Sequence, residues 1–139
     1  MLKMTVKQIY SGSCLCGGIR YEIHGEIGEI IHCHCQRCRK ASGTAYTTNA
    51  PVKVSEFKFI QGEYLLKKFQ SSATIQRCFC GECSSAIMSI RTETPDYYRL
   101  RLGTLDTPIT SKPAIHIFVA DKASWDTICD GLPQHDQWP

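Results

Sequence analysis

Cys78-Phe79-Cys80-Gly81-Glu82-Cys83 is the stretch on which the reading of this chain turns, because its C-x-C-x-x-C spacing repeats Cys33-His34-Cys35-Gln36-Arg37-Cys38. In an extended strand, residues i and i+2 point to the same face. A C-x-C therefore offers two sulfurs to one metal from one strand, and a C-x-x-C turns the chain around it. Gly81 suits such a turn. Upstream, Cys14 and Cys16 form a further C-x-C. Tetrahedral zinc wants four thiolates at about 2.3 Å. One C-x-C plus one C-x-x-C supplies four. The remaining C-x-C-x-x-C supplies three and leaves one coordination position open, as catalytic zinc does. The count thus points to one closed and one open site. Spacing leaves the pairing undecided, since Cys14 and Cys16 could join either later cluster.

Nine cysteines in 139 residues fall short of a disulfide scaffold, and the number is odd. Met1 to Tyr10 holds no apolar stretch of secretory type, so a reducing cytoplasm is expected, where clustered thiols bind metal. Zinc is favoured over iron–sulfur because nothing else in the chain suggests electron transfer. With 42% hydrophobic and 21% charged residues, the chain should fold as one domain over residues 5–135, with no membrane span. The formal charge of +3 counts every cysteine as a neutral thiol. Two zinc sites built on seven thiolates would bring it to neutrality, so it gives no argument for nucleic acid.

Many short strands separated by turn residues indicate an all-β architecture. Ile19, Tyr21 and Ile23 alternate with Arg20, Glu22 and His24 as a half-buried strand. Further strands are expected at Ile30-Ile31, Ala45 to Asn49 (interrupted by Pro51), Phe57 to Ile60, Tyr64 to Gln70, Thr74 to Phe79 and Ser85 to Ile90. The alternation of Tyr98, Leu100 and Leu102 with Arg99 and Arg101 marks another, and Ala114 to Ala120 the last. Arg37 to Ala41 could make a short helical turn ending near Ser42-Gly43. One helix is expected near the C-terminus, Lys122 to Cys129, with Cys129 packing it and Trp125 and Phe118 in the core. Cys78 shares a face with Cys80 and reads as a buried thiol rather than an alternate ligand.

The chain resembles the glutathione-dependent formaldehyde-activating enzyme family, which includes centromere protein V. Three elements carry the resemblance: Gly12-Ser13-Cys14-Leu15-Cys16-Gly17-Gly18-Ile19-Arg20-Tyr21, Cys33-His34-Cys35-Gln36-Arg37-Cys38-Arg39-Lys40-Ala41-Ser42-Gly43, and Arg77-Cys78-Phe79-Cys80-Gly81-Glu82-Cys83. Gly103-Thr104-Leu105-Asp106 and Ile115-His116-Ile117-Phe118 with Trp125 and Leu132-Pro133 add softer matches. The resemblance implies a β-tent of antiparallel sheets held by zinc. It also implies the pairing left open above: Cys14, Cys16, Cys80 and Cys83 as the closed structural site, and Cys33, Cys35 and Cys38 as the open site linked to glutathione. Where relatives usually carry glycine after the last cysteine, this chain has Ser84.

Family members with the activity combine glutathione and formaldehyde to S-hydroxymethylglutathione; the reverse is carbon–sulfur bond cleavage. An open zinc fits this, because coordination deprotonates a thiol and the thiolate is the nucleophile. Three cysteine thiolates weaken the Lewis acidity of the ion, so delivery of the thiolate is its expected role. Arg37, Arg39 and Lys40 flank the cluster and could hold carboxylates of the thiol, or simply offset the thiolates. His32 and His34 should face away from Cys33 and Cys35, and Ser42 should hydrogen-bond locally. Two other classes compete: a non-catalytic zinc-held interaction module, and a thiol redox or metal sensor.

Overall fold

A computed structural model describes residues 8–139. Residues 1–7 of the leader reading, and the first residues of the expected domain, lie outside the described ones. The chain is mainly β, as the turn-punctuated apolar runs predict. β1 (Ile9–Ser13), β2 (Arg20–His24) and β5 (Phe57–Gln61) form a three-stranded sheet in the order β1-β2-β5. The other strands are β3 (Ile31–Cys33), β4 (Thr47–Lys53), β6 (Leu66–Gln70), β7 (Ile75–Cys80), β8 (Ala86–Arg91), β9 (Tyr97–Arg101) and β10 (Ile115–Ile117). They form a seven-stranded sheet in the order β10-β3-β4-β9-β8-β7-β6.

The main core lies between the two sheets. Tyr21, Ile23, Val52, Phe57, Ile87, Met88 and Leu100 are buried there, with Tyr21 stacked on Phe57 at 4.9 Å. Burying each such side chain contributes roughly 1.5–3 kcal/mol. Cys78 and Cys80 join this core, the i and i+2 positions of β7 facing inward together. A second, smaller cluster of Ile31, Cys33, Cys38 and Ile117 sits at the β3–β10 end.

Four expectations need correction. The sheets are not wholly antiparallel, because β10 pairs with β3 in parallel, Ile115 against Ile31 and Ile117 against Cys33. Pro51 lies inside β4 rather than interrupting it. β3 covers β4 only as far as Asn49. Beyond that point the Pro51 carbonyl accepts from Gly28 N–H at 2.9 Å, so the missing proline donor costs no ladder bond. Lys122 to Cys129 forms no helix; only the short turn Val119–Asp121 precedes it. Ser124, Trp125, Asp126, Thr127, Ile128 and Cys129 are all weak helix formers. With no helix there to pack, Trp125 is 69% exposed and Cys129 is exposed as well. The α-helix of the described residues is α1 (Gln36–Ser42), inside the second cysteine cluster.

Candidate functional site

The first group of sulfurs forms where the β1–β2 loop meets the β7–β8 hairpin. Cys14 and Cys16 come from the loop, and Cys80 and Cys83 from the hairpin. Their four sulfurs lie within 4.8 Å of one another, with Cys14 to Cys16 at 3.5 Å and Cys16 to Cys80 at 3.9 Å. A tetrahedron with Zn–S near 2.3 Å has edges of about 3.8 Å, so the donor set fits zinc. Backbone N–H groups point at the sulfurs: Ile19 to Cys14 at 3.2 Å, Gly18 to Cys16 at 3.4 Å and Glu82 to Cys80 at 3.4 Å. Such donors favour thiolates over thiols. The Ser85 hydroxyl, 3.2 Å from Cys83, is the chief reason that this thiol is lowered to about 5.

The hairpin turn is closed by Ser84 at φ 65°, in the left-handed region. Gly81, in the same turn, has no positive φ. Its place is set by close approach: an added Cβ would meet Lys67 Cε at 2.8 Å and the Leu65 carbonyl at 3.1 Å.

The second group is local. Cys33 ends β3, Cys35 caps α1, and Cys38 lies in its first turn. Cys35 has extended backbone and its sulfur accepts from Cys38 N–H at 3.3 Å, taking the part of a side-chain N-cap. Gly43, at φ 69°, closes the helix with its N–H on the Arg39 carbonyl at 2.7 Å. The three sulfurs lie within 4.8 Å of one another. Cys38 is held far toward the thiolate, first by hydrogen bonds from Cys33 and Cys35 and further by Arg77. The Arg77 guanidinium stands 3.8 and 3.9 Å from Cys38 Sγ. Cys33 is correspondingly pushed up by its hydrogen bonds to Cys35 and Cys38. This donor set also fits a metal ion, with one coordination position left for a ligand.

A cavity of about 760 Å³ opens onto this group. Cys33, Cys35, Cys38 and Arg37 line it, whereas Arg39 and Lys40 do not. The latter two sit in the last turn of α1, where cations complement the carbonyl end of the helix. The larger finding is a sheet face of arginines. Arg77 on β7 stands opposite Ser89 on β8, and Ser89 opposite Arg99 on β9. Two positions along their strands follow Arg91 and Arg101, and Arg101 stands opposite Asn49. All line the same cavity. Their neighbours Cys78, Met88 and Leu100 face the core. Arg101 donates to Asn49 Oδ1 at 2.7 Å, and burial lowers its pKa. Arg99, lowered to about 10 mainly by burial, lies 4.7 Å from the Trp138 ring, and Arg91 lies 5.3 Å from it. The sequence carried a signal of this face in the Arg99–Arg101 alternation, but not its direction.

The histidines point elsewhere, as expected from the strand rule. His34 Nε2 is 2.8 Å from His116 Nδ1, and His116 Nε2 is 2.9 Å from Asp130. His32 Nδ1 bonds Thr48 at 2.8 Å. None joins either sulfur group among the described residues. Ser42 donates to the Cys38 carbonyl at 2.9 Å, a local bond that steadies α1.

Comparison with known proteins agrees with this picture. A Rhodobacter sphaeroides protein of known crystal structure superimposes with a TM-score of 0.60 at 22% identity, over 72% of this chain and 91% of that one, a likeness of fold. A search of curated proteins gives no match. The model of the glutathione-dependent formaldehyde-activating enzyme family matches residues 9–121, which span both sulfur groups and the whole arginine face. The chain therefore belongs to the glutathione-dependent formaldehyde-activating enzyme family.

Proposed function

We propose that this chain is a zinc-dependent carbon–sulfur lyase-type enzyme acting on the adduct of a small thiol and an aldehyde, such as S-hydroxymethylglutathione formed from glutathione and formaldehyde. The observation that carries the reading is the three-sulfur group of Cys33, Cys35 and Cys38 at the wall of a cavity large enough for a tripeptide thiol. In this reading Cys14, Cys16, Cys80 and Cys83 hold a structural zinc ion. Cys33, Cys35 and Cys38 hold a second zinc ion. Bound there, zinc supplies the positive charge that keeps a substrate thiol deprotonated near neutral pH.

The chain's own residues supply position. β3 and α1 hold three sulfurs on one side of the cavity, so an arriving thiol is aimed at a fixed point. Arg77 offsets charge on Cys38, and Arg37 stands at the rim for carboxylates of the thiol. Arg39 and Lys40, beside the cluster in sequence, would act only at longer range. Clustered, unpaired thiols of this kind need a reducing compartment, and the cytoplasm is part of the proposal.

Calorimetry with glutathione and with S-methylglutathione tests it. Glutathione should bind more tightly as pH rises, because a proton is released. S-methylglutathione keeps both carboxylates but forms no thiolate, and should bind much more weakly. Equal affinity for the two would show that the sulfur group does not hold the thiol. No binding of either would favour a non-catalytic interaction module or thiol sensor.

A further inference from the structure

The cavity beside Cys33, Cys35 and Cys38 is far more cationic than a simple carboxylate-bearing thiol requires. Five guanidiniums line it, from Arg37, Arg77, Arg91, Arg99 and Arg101, against one carboxylate, Asp121. Arg77 is balanced by the Cys38 thiolate. Arg101 meets only neutral partners, the Asn49 oxygen at 2.7 Å, Ser89 Oγ at 3.5 Å and the Arg99 carbonyl at 3.4 Å. The Nε atoms of Arg77 and Arg91 are buried with no hydrogen-bond partner among the described residues. Buried charges are ordinarily paired, and a cavity lined by five guanidiniums and one carboxylate suits an anion from outside.

The arrangement also has a shape. Arg77, Ser89 and Arg99 form one cross-strand row, and Arg91 on β8 and Arg101 on the antiparallel β9 lie one step to either side of it. Strands are about 4.8 Å apart and i, i+2 positions about 6.7 Å, so these four arginines spring from a patch roughly 14 Å along its longest diagonal, from Arg91 to Arg101. Long side chains from such a patch can converge on one group. A lone carboxylate presents a single edge to one guanidinium fork. A phosphate monoester presents three oxygens and two charges, and takes several forks at once. Glutathione near neutral pH carries two carboxylates and one ammonium, and would leave much of this charge uncompensated.

We propose that the arginine face binds a phosphate monoester carried by the thiol half of the substrate, so that the chain takes adducts of a phosphorylated thiol. The proposal rests on the thiol-adduct reading above and names its substrate class. Sulfur at the cysteine group and phosphate on the arginine sheet face would then be the two anchors of one ligand.

The test compares 4′-phosphopantetheine with pantetheine on the full, zinc-loaded chain by calorimetry. The two share a thiol and differ by one phosphate. The phosphorylated thiol should bind at least about tenfold more tightly, since charge-assisted contacts to phosphate are strong. The advantage should shrink with added salt and disappear in Arg91→Gln combined with Arg99→Gln. Circular dichroism shows whether that variant is folded; should it not be, Arg99→Lys alone, which keeps the charge but loses the fork, should cut the advantage severalfold. Equal binding of the two thiols by the wild-type chain overturns the proposal. A cobalt-loaded sample separates it from the lyase reading, because a thiol reaching the cysteine group changes the cobalt–thiolate absorption. If phosphate improves binding while no thiol alters that absorption, the phosphate site stands and the thiol-adduct reading falls.

Discussion

Removing the two sulfurs of the β7–β8 hairpin should cost more stability than removing two from the α1 group, and the chain separations say by how much. A metal joining Cys16 to Cys80 closes a loop of 64 residues. The chain-entropy relation for cross-links makes that closure worth about 4 kcal/mol. Cys33 and Cys38 are five positions apart, and the same relation gives about 2 kcal/mol. Part of that smaller sum is supplied without metal, because the Cys35 cap already folds the turn. Cys80→Ser with Cys83→Ser should therefore lower the melting temperature by roughly 12 °C or more, at roughly 3 °C per kcal/mol. Cys35→Ser with Cys38→Ser should lower it by about half as much and leave one zinc ion per chain. Calorimetric melting with metal analysis of each folded sample checks both. Melting of the wild-type chain with a strong chelator should reproduce the larger drop, and so excludes an effect of the buried serine hydroxyl alone. If the α1 double variant loses more stability than the hairpin variant, the structural and open sites are assigned the wrong way round.

Two further outcomes follow from single residues. Burial pushes His32 down to about 4 from 6.5, so its neutral form is the one that fits the fold. Between these values the unfolded chain binds the extra proton, and stability falls as pH drops below 6.5, by about 2 kcal/mol at pH 5. Urea titrations at pH 7.5 and pH 5 should show that loss, and His32→Gln should lack it; an equal loss in the variant would refute the assignment. Ser84 holds a left-handed φ of 65° without being glycine. Ser84→Gly should raise stability by up to about 1 kcal/mol, the relief of about 1–2 kcal/mol less the added freedom of the unfolded chain. A lower melting temperature would show that the hydroxyl, which donates to the Cys83 carbonyl, matters more than the strain.

The cysteine spacing made most of the candidate site legible, because a ligand set is a local pattern and a strand alternates its faces. Cys33, Cys35 and Cys38 come together as their separation requires. The union of Cys14 and Cys16 with Cys80 and Cys83 lay beyond spacing alone, since it is made by tertiary packing and either cluster could have served. The arginine face was hidden for a related reason. Arg99 and Arg101 alternate with Tyr98 and Leu100, which reads as a solvated strand face until the neighbouring strands are known. Arg77 and Arg91 are brought beside them only by the β7-β8-β9 order. Strand β1 escaped notice because Ile9 to Ser13 mixes small, polar and apolar residues without clear alternation. At the other end, Lys122 to Cys129 had a helix-like boundary but weak helix formers within it, and propensity won.

The parallel pairing of β10 with β3 has a consequence for the order in which the molecule comes into being. β3 and α1 leave the ribosome early, carrying Cys33, Cys35 and Cys38, whose mutual contacts are all local. At about 5–20 residues per second, Cys83 follows a few seconds later, and the residues of β10 later still. Until then the cavity lacks Ile117, Phe118 and Trp138 from its wall. The nascent chain thus shows bare, clustered thiols to whatever metal or oxidant is at hand, before either sheet can close around them. The three-sulfur group is thus complete first, and the four-sulfur group, which joins residues 64 positions apart, only second.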